Sequence, residues 1–242
     1  SMTKGNPLKL MLQFAFPLLI GNLLQQTYNI IDAAIVGQIL GAKALASVGA
    51  SSSIQFLVLG FCMGSCTGFG VPIAKYFGAG KLDQMRNYVF NGALLTAGIA
   101  VILTALCSVF CPQILHMLSV PEDIFDNAYA YLLIIFLGIP FTLLYNYLSS
   151  ILRSLGDSRT PFLFLAFSAI LNIFLDLFCI VVLKWGCAGA AAATITAQAI
   201  SGILCLVFIG RKMNVLHLTK ENRMVNITCL LYTSDAADDL TR

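Results

Sequence analysis

The sequence predicts an all-α, polytopic membrane protein built as a six-transmembrane-helix bundle. Three observations predict it. Of the 242 residues, 59% are hydrophobic and only 10% are charged, and mean hydropathy is +0.88. The few charges divide the chain into uncharged runs long enough to cross a bilayer. The polar residues left inside those runs recur at helical spacing. A soluble domain carries about 25% charged residues and needs them to cover its surface. Here lipid takes the place of water.

A helix needs about 20 apolar residues to cross the hydrocarbon. The first run follows Lys4 and Lys9 and stays uncharged from Leu10 to Ile31. That length makes it a membrane helix and not a cleaved signal. Lys43 to Lys75, Arg86 to Glu122, Asp126 to Arg153 and Lys184 to Arg211 enclose no charge. Arg159 to Lys184 encloses only Asp176. The six expected spans are roughly 10–35, 48–74, 88–110, 127–150, 160–183 and 187–209. Residues 1–9 then form a cytoplasmic N-terminus, 10–210 the transmembrane lobe and 211–228 a cytoplasmic linker.

Orientation follows from Lys and Arg in the loops. One side carries Lys4, Lys9, Lys75, Lys81, Arg86, Arg153, Arg159, Arg211, Lys212, Lys220 and Arg223; the other carries Lys43 and Lys184. Both termini are expected in the cytoplasm, with the protein in the cell (inner) membrane. Glu122, Asp123 and Asp126 lie on the outer side, and Trp185 beside Lys184 reads as an interfacial anchor. After Lys220 the chain turns polar and aperiodic, and CLLYTSDAADD (229–239) resembles a translated sequencing adapter. Residues 229–242 are therefore expected to be a non-native tail.

Pro17 lies inside the first span, removes one backbone hydrogen bond and is expected to bend that helix. The other span prolines, Pro72 and Pro140, the glycines 60, 64, 68 and 70, and the GCAGAAAA run of 186–193 are expected to serve ordinary close packing. Eight cysteines are present, most in apolar runs, with C-x3-C spacing at Cys62/Cys66 and Cys107/Cys111 but no accompanying His. They read as small packing residues and not as a zinc site. GxxxxGK[ST], GxSxG, HExxH and paired CxxC motifs are all absent from the sequence, and His116 and His217 are placed in loops, so no enzyme is expected.

A carboxylate at mid-membrane costs about 2.5–3.5 kcal/mol even on mild insertion scales. It must be paired, protonated, hydrated or ion-bound. Asn22, Gln25, Asn29 and Asp32 recur at steps of three and four, on one helical face. Ser168, Asn172 and Asp176 repeat the device in span five. Thr142, Asn146 and Ser149 do so in span four, and Thr194, Gln198 and Ser201 in span six. These stripes must face inward and can line a hydrated cavity. Carboxylates, amide carbonyls and hydroxyls are hard oxygen ligands suited to a small cation or a proton. Two acids repel when both are ionised, and a bound cation relieves the repulsion. That behaviour points to the ion-coupling site of a transporter.

PLLIGNLLQQTYNIIDAAIVGQILG (17–41), ILRSLGDSRTP (151–161), NIFLD (172–176) and GAAAAT (189–194) together resemble the multidrug and toxic compound extrusion (MATE) family, over residues 7–215. The resemblance implies twelve helices in two pseudo-symmetric six-helix lobes around a central cavity, of which this chain is the N-terminal lobe. It implies export of organic cations and other amphipathic toxicants in exchange for Na+ or H+, with no other cofactor. It carries the family's cation site onto Asp32, Asn172, Asp176 and Thr194, with Thr196 close by, and gives helix bending to Pro17. The implied partners are small cationic or amphipathic substrates, the bilayer and the missing C-terminal lobe, not nucleic acid. Any metal is limited to Na+ at the cation site. The lobe alone is not expected to transport. Two competing readings are a lipid-linked oligosaccharide flippase, which would place basic residues in the cavity, and a non-transporting scaffold or channel subunit. The spans contain acids and no internal Lys or Arg, which argues for cationic cargo.

Overall fold

Eight α-helices in chain order form the bundle, as given by a computed structural model that describes residues 7–216. They are α1 (Pro7–Leu40), α2 (Ala42–Gly78), α3 (Leu82–Val109), α4 (Cys111–Met117), α5 (Glu122–Leu137), α6 (Ile139–Ser154), α7 (Arg159–Leu177) and α8 (Gly186–Lys212). A π-turn, Phe178–Val182, extends α7. The tail, His217, Cys229 and residues 1–6 lie outside the described residues.

The elements map onto the six expected spans as α1, α2, α3, α5 with α6, α7 with its π-turn, and α8. Helices α2, α3, α7 with its π-turn, and α8 are each long and apolar enough to cross a membrane, and so are α5 and α6 taken together. Helix α1 has 34 residues, about 51 Å of rise and ample to span.

The breaks differ from the expected ones. Helix α1 continues as one helix through Pro17. A 45° bend falls between α5 and α6, at Gly138–Pro140, where ordinary packing was expected. Pro140 offers no amide to continue the α5 ladder. Gly138 leaves no room for a Cβ, because the Ile195 side chain of α8 occupies that space. The span therefore bends around α8. His116 sits on the short helix α4, not in a loop, and stacks on Phe125 with ring centroids 4.8 Å apart.

Two short connections are set by glycine. Gly41 alone joins α1 to α2, at φ 87 and ψ −179, a region that essentially only glycine adopts. Helix α6 ends in a Schellman motif. Gly156 (φ 84) donates its N–H to the Arg153 carbonyl at 2.9 Å, and Asp157 donates to Leu152 at 3.0 Å. Asp157 then caps α7: one carboxylate oxygen accepts from the N–H groups of Arg159 (3.1 Å) and Thr160 (3.0 Å), and the other from the Thr160 hydroxyl (2.6 Å). The LGDSRT run is thus a complete stop-and-start signal.

The main core lies where α2, α3, α5 and α6 meet. Cys62, Cys66, Cys107 and Cys111 are buried in it among Phe69, Leu143 and Tyr147. Lipid tails are as apolar as these side chains, so close packing holds helices together in a bilayer more than water exclusion does. Small residues do this between α2 and α6. The Ser154 hydroxyl donates to the Gly70 carbonyl at 2.8 Å, and a Cβ on Gly70 would stand 2.5 Å from Ser150 Oγ and 2.7 Å from Ser154 Oγ. Gly70→Leu is expected to force these helices apart and cost about 1–3 kcal/mol, seen as a lowered thermal midpoint in detergent or nanodiscs. Gly98→Leu, where nothing lies within 4 Å, is expected to leave the midpoint unchanged.

Candidate functional site

Helices α1 and α7 pack against each other, and α7 packs along α8. Asp32 on α1 and Asp176 on α7 therefore come together: their carboxyls face each other closely enough for one, once protonated, to donate to the other. Asp176 is fully buried and Asn172, one turn before it, is 2% exposed. The Asn172 amide nitrogen donates to Thr194 Oγ1 of α8 at 3.2 Å. Thr194 is half-buried at this junction, whereas Thr196 is exposed. The structure thus brings Asp32, Asn172, Asp176 and Thr194 into one cluster and leaves Thr196 outside it.

Four buried oxygens of this cluster meet no donor among the described residues: Asp32 Oδ1, Asn172 Oδ1 and both oxygens of Asp176. Buried polar groups are normally bonded, and an unmet one costs about 1–3 kcal/mol, more when charged. All four are hard oxygens, so the donor set fits a small hard cation or a proton.

The cluster borders a cavity of about 970 Å³ that reaches along the inner faces of α1, α2, α6, α7 and α8. Asn22, Gln25, Asn29 and Asp32 line it, as do Asn146, Thr194, Gln198 and Pro17. Asn172 and Asp176 lie behind that wall. The Thr142 hydroxyl bonds Gln198, and Asn146 Nδ2 donates to the Thr142 carbonyl at 2.8 Å, so α6 and α8 are tied at mid-cavity. Asn22 and Asn29 are exposed on the open side of α1.

Sequence reasoning missed three features. Tyr131 of α5, with Gln55 of α2, sits beside Asp32; its signal was hidden in an apolar run. The π-turn begins two residues after Asp176, and such turns recur at functional sites. Arg153, counted with the loop charges, lines the cavity, so the expectation of a wall without Lys or Arg is corrected. Helix α6 runs one residue past it, and a long Arg side chain near a helix end can lie along the wall.

A helical membrane bundle with one polar wall open along its length is the build of one lobe of a twelve-helix transporter. The chain belongs to the MatE family, the multidrug and toxic compound extrusion transporters, whose family model matches residues 17–178. It is 36% identical over 207 residues to the probable multidrug resistance protein YpnP of Bacillus subtilis, covering 86% of this chain and 46% of that protein. It is 31% identical over 210 residues to the probable multidrug resistance protein NorM of Thermotoga maritima, covering 84% and 45%. A MATE transporter solved in a bent conformation superposes with a TM-score of 0.91 at 22% identity, covering 98% of this chain and 53% of that one. A MATE transporter in a straight conformation gives 0.89 at 22% identity, again covering 98% and 53%. The chain spans about half the length of the curated relatives it matches.

Asp32→Asn would remove one charge and place an amide donor next to the Asp176 carboxylate. In Na+-free buffer alkaline enough to ionise both acids, this variant is expected to be more stable by about 1–3 kcal/mol, read as a higher thermal midpoint in nanodiscs. A midpoint equal to or below that of the unsubstituted chain would contradict the face-to-face placement of the two acids.

Proposed function

We propose that this chain is the ion-coupling lobe of a cation-driven antiporter that exports organic cations and other amphipathic toxicants across the cell (inner) membrane, with both termini cytoplasmic. The observation that carries the reading is the meeting of Asp32 and Asp176 beside Asn172 and Thr194 with four buried oxygens lacking a donor. The relatives' names as multidrug resistance proteins supply the cargo class. The loop charges supply the orientation.

In this reading Na+ or H+ is a transported substrate held by Asp32, Asn172, Asp176 and Thr194. Without it, two carboxylates at close range in a low-dielectric site push α1 and α7 apart; with it, the helices close. Occupancy thereby biases one arrangement over the other, which is all that coupling requires thermodynamically. Pro17, in the cavity wall, is where α1 gives way as that bias changes. Asn22, Gln25, Asn29, Asn146 and Gln198 keep the adjoining passage wet, so ion and cargo reach the lobe from the same side. Cargo contact falls on the cavity wall and not on the buried acids. The second lobe would cover the open face of α1 and α2.

Efflux driven by a Na+ or H+ gradient, measured in vesicles carrying the twelve-helix parent, tests this. Asp32→Asn and Asp176→Asn are each expected to reduce it to background. Thr194→Val, which loses one ligand, is expected to reduce it on the order of tenfold, and Thr196→Val to leave it unchanged. Undiminished efflux in both Asp variants would favour a scaffold role for the polar stripes instead.

A further inference from the structure

The coupling reading leaves one charged group of the cavity unused. Arg153 lies about three helical turns, roughly 16 Å of rise, along α6 from the Thr142–Gln198 tie. Its guanidinium is always charged, yet it makes no ion pair or side-chain hydrogen bond among the described residues. The nearest acid in sequence, Asp157, has both oxygens occupied by the first turn of α7. A partly desolvated cation without a counter-charge is costly.

We propose that the Arg153 end of the cavity is an anion-binding subsite, which takes the phosphate or carboxylate of an amphipathic solute whose apolar body lies against Phe162 and Leu165. Three further observations support the assignment. The Ser149 hydroxyl, 2% exposed and on the same wall, stands beside the Tyr145 hydroxyl and adds a second polar group to this end. Tyr145 and Ser158 line the same stretch, with the Tyr145 hydroxyl held against the Pro161 carbonyl at 3.0 Å. The planar guanidinium fork matches two oxygens of a phosphate or carboxylate at once. The acids and Arg153 sit at separate levels, so a coupling cation and an anionic cargo group occupy the lobe without neutralising each other. The transported class thereby widens from organic cations to zwitterionic and anionic amphipaths. This inference deepens the export reading and rests on it.

Riboflavin and riboflavin 5′-phosphate differ only by a phosphate and serve as the probe pair. Flavin fluorescence titrations would use the full 242-residue chain in phosphatidylcholine nanodiscs. The unsubstituted chain is expected to bind the phosphorylated flavin on the order of tenfold more tightly, as a charge-assisted bond of about 1.5–3 kcal/mol implies. Arg153→Gln is expected to erase the preference and Arg153→Lys to retain part of it, both with unchanged helix content by circular dichroism. Equal affinity of the unsubstituted chain for the two flavins overturns the proposal. So does a preference that survives in Arg153→Gln. Repeating the titration in phosphatidylglycerol nanodiscs separates cargo from lipid. An unchanged preference supports a soluble anionic cargo, and its abolition assigns the subsite to a lipid phosphate and overturns the cargo claim. The Na+- or acid-induced rise in thermal midpoint, measured on the same samples, reports the Asp32–Asp176 site separately, so either reading can fail while the other stands.

Discussion

Two carboxyl groups brought face to face in a membrane interior govern the rest of this lobe. Asp32 and Asp176 cannot both be ionised and left alone in a low-dielectric site without a large penalty. The surrounding structure does little to relieve it. The amide one turn before Asp176, Asn172, spends its nitrogen on Thr194, and its own carbonyl is one of the unmet oxygens. A fold held together for stability alone would have supplied donors there. Instead four buried oxygens at the α1–α7 contact meet no donor among the described residues, which is the basis of the proposed cation site.

The packing around the site explains how such a contact is tolerated. Helices α2, α3, α5 and α6 form the dense core, sealed by small residues such as Gly70, Ser150 and Ser154. Helix α1 stands outside that core and meets the bundle mainly through α7 and α2. The pair of acids is thus placed on a helix that packs outside the main core.

Much of this was legible in the sequence because charge is so unfavourable in lipid. Gaps between charges marked the spans, and steps of three and four marked which faces turn inward. Asp32 and Asp176 stood out as charges within spans, helical spacing set Asn172 beside Asp176, and the family resemblance added Thr194 and joined the four in one cation site; the structure collects all four at one junction. What the sequence hid was depth and local winding. Nothing in the spacing says that Arg153 lies along the cavity and not beyond it, because a long side chain decouples its charge from its Cα. The bend at Gly138–Pro140 lies where Ile195, a residue far along the chain, leaves no room for a Cβ at position 138. The π-turn after Asp176 and the nearness of Tyr131 are products of tertiary packing that no local pattern encodes.

The single-residue link at Gly41 gives α1 a mechanical character. With so short a joint, the α2 end of α1 is pinned, and the helix acts as a lever with its fulcrum there. Between Gly41 and Pro17 the rod measures about 36 Å, while Asp32 sits only about 13 Å from the fulcrum. Any tilt is therefore amplified about threefold between the acid and the proline. An ångström of give at the carboxyl pair becomes about three ångströms of travel at Pro17, enough to change which side chains wall the far end of the cavity.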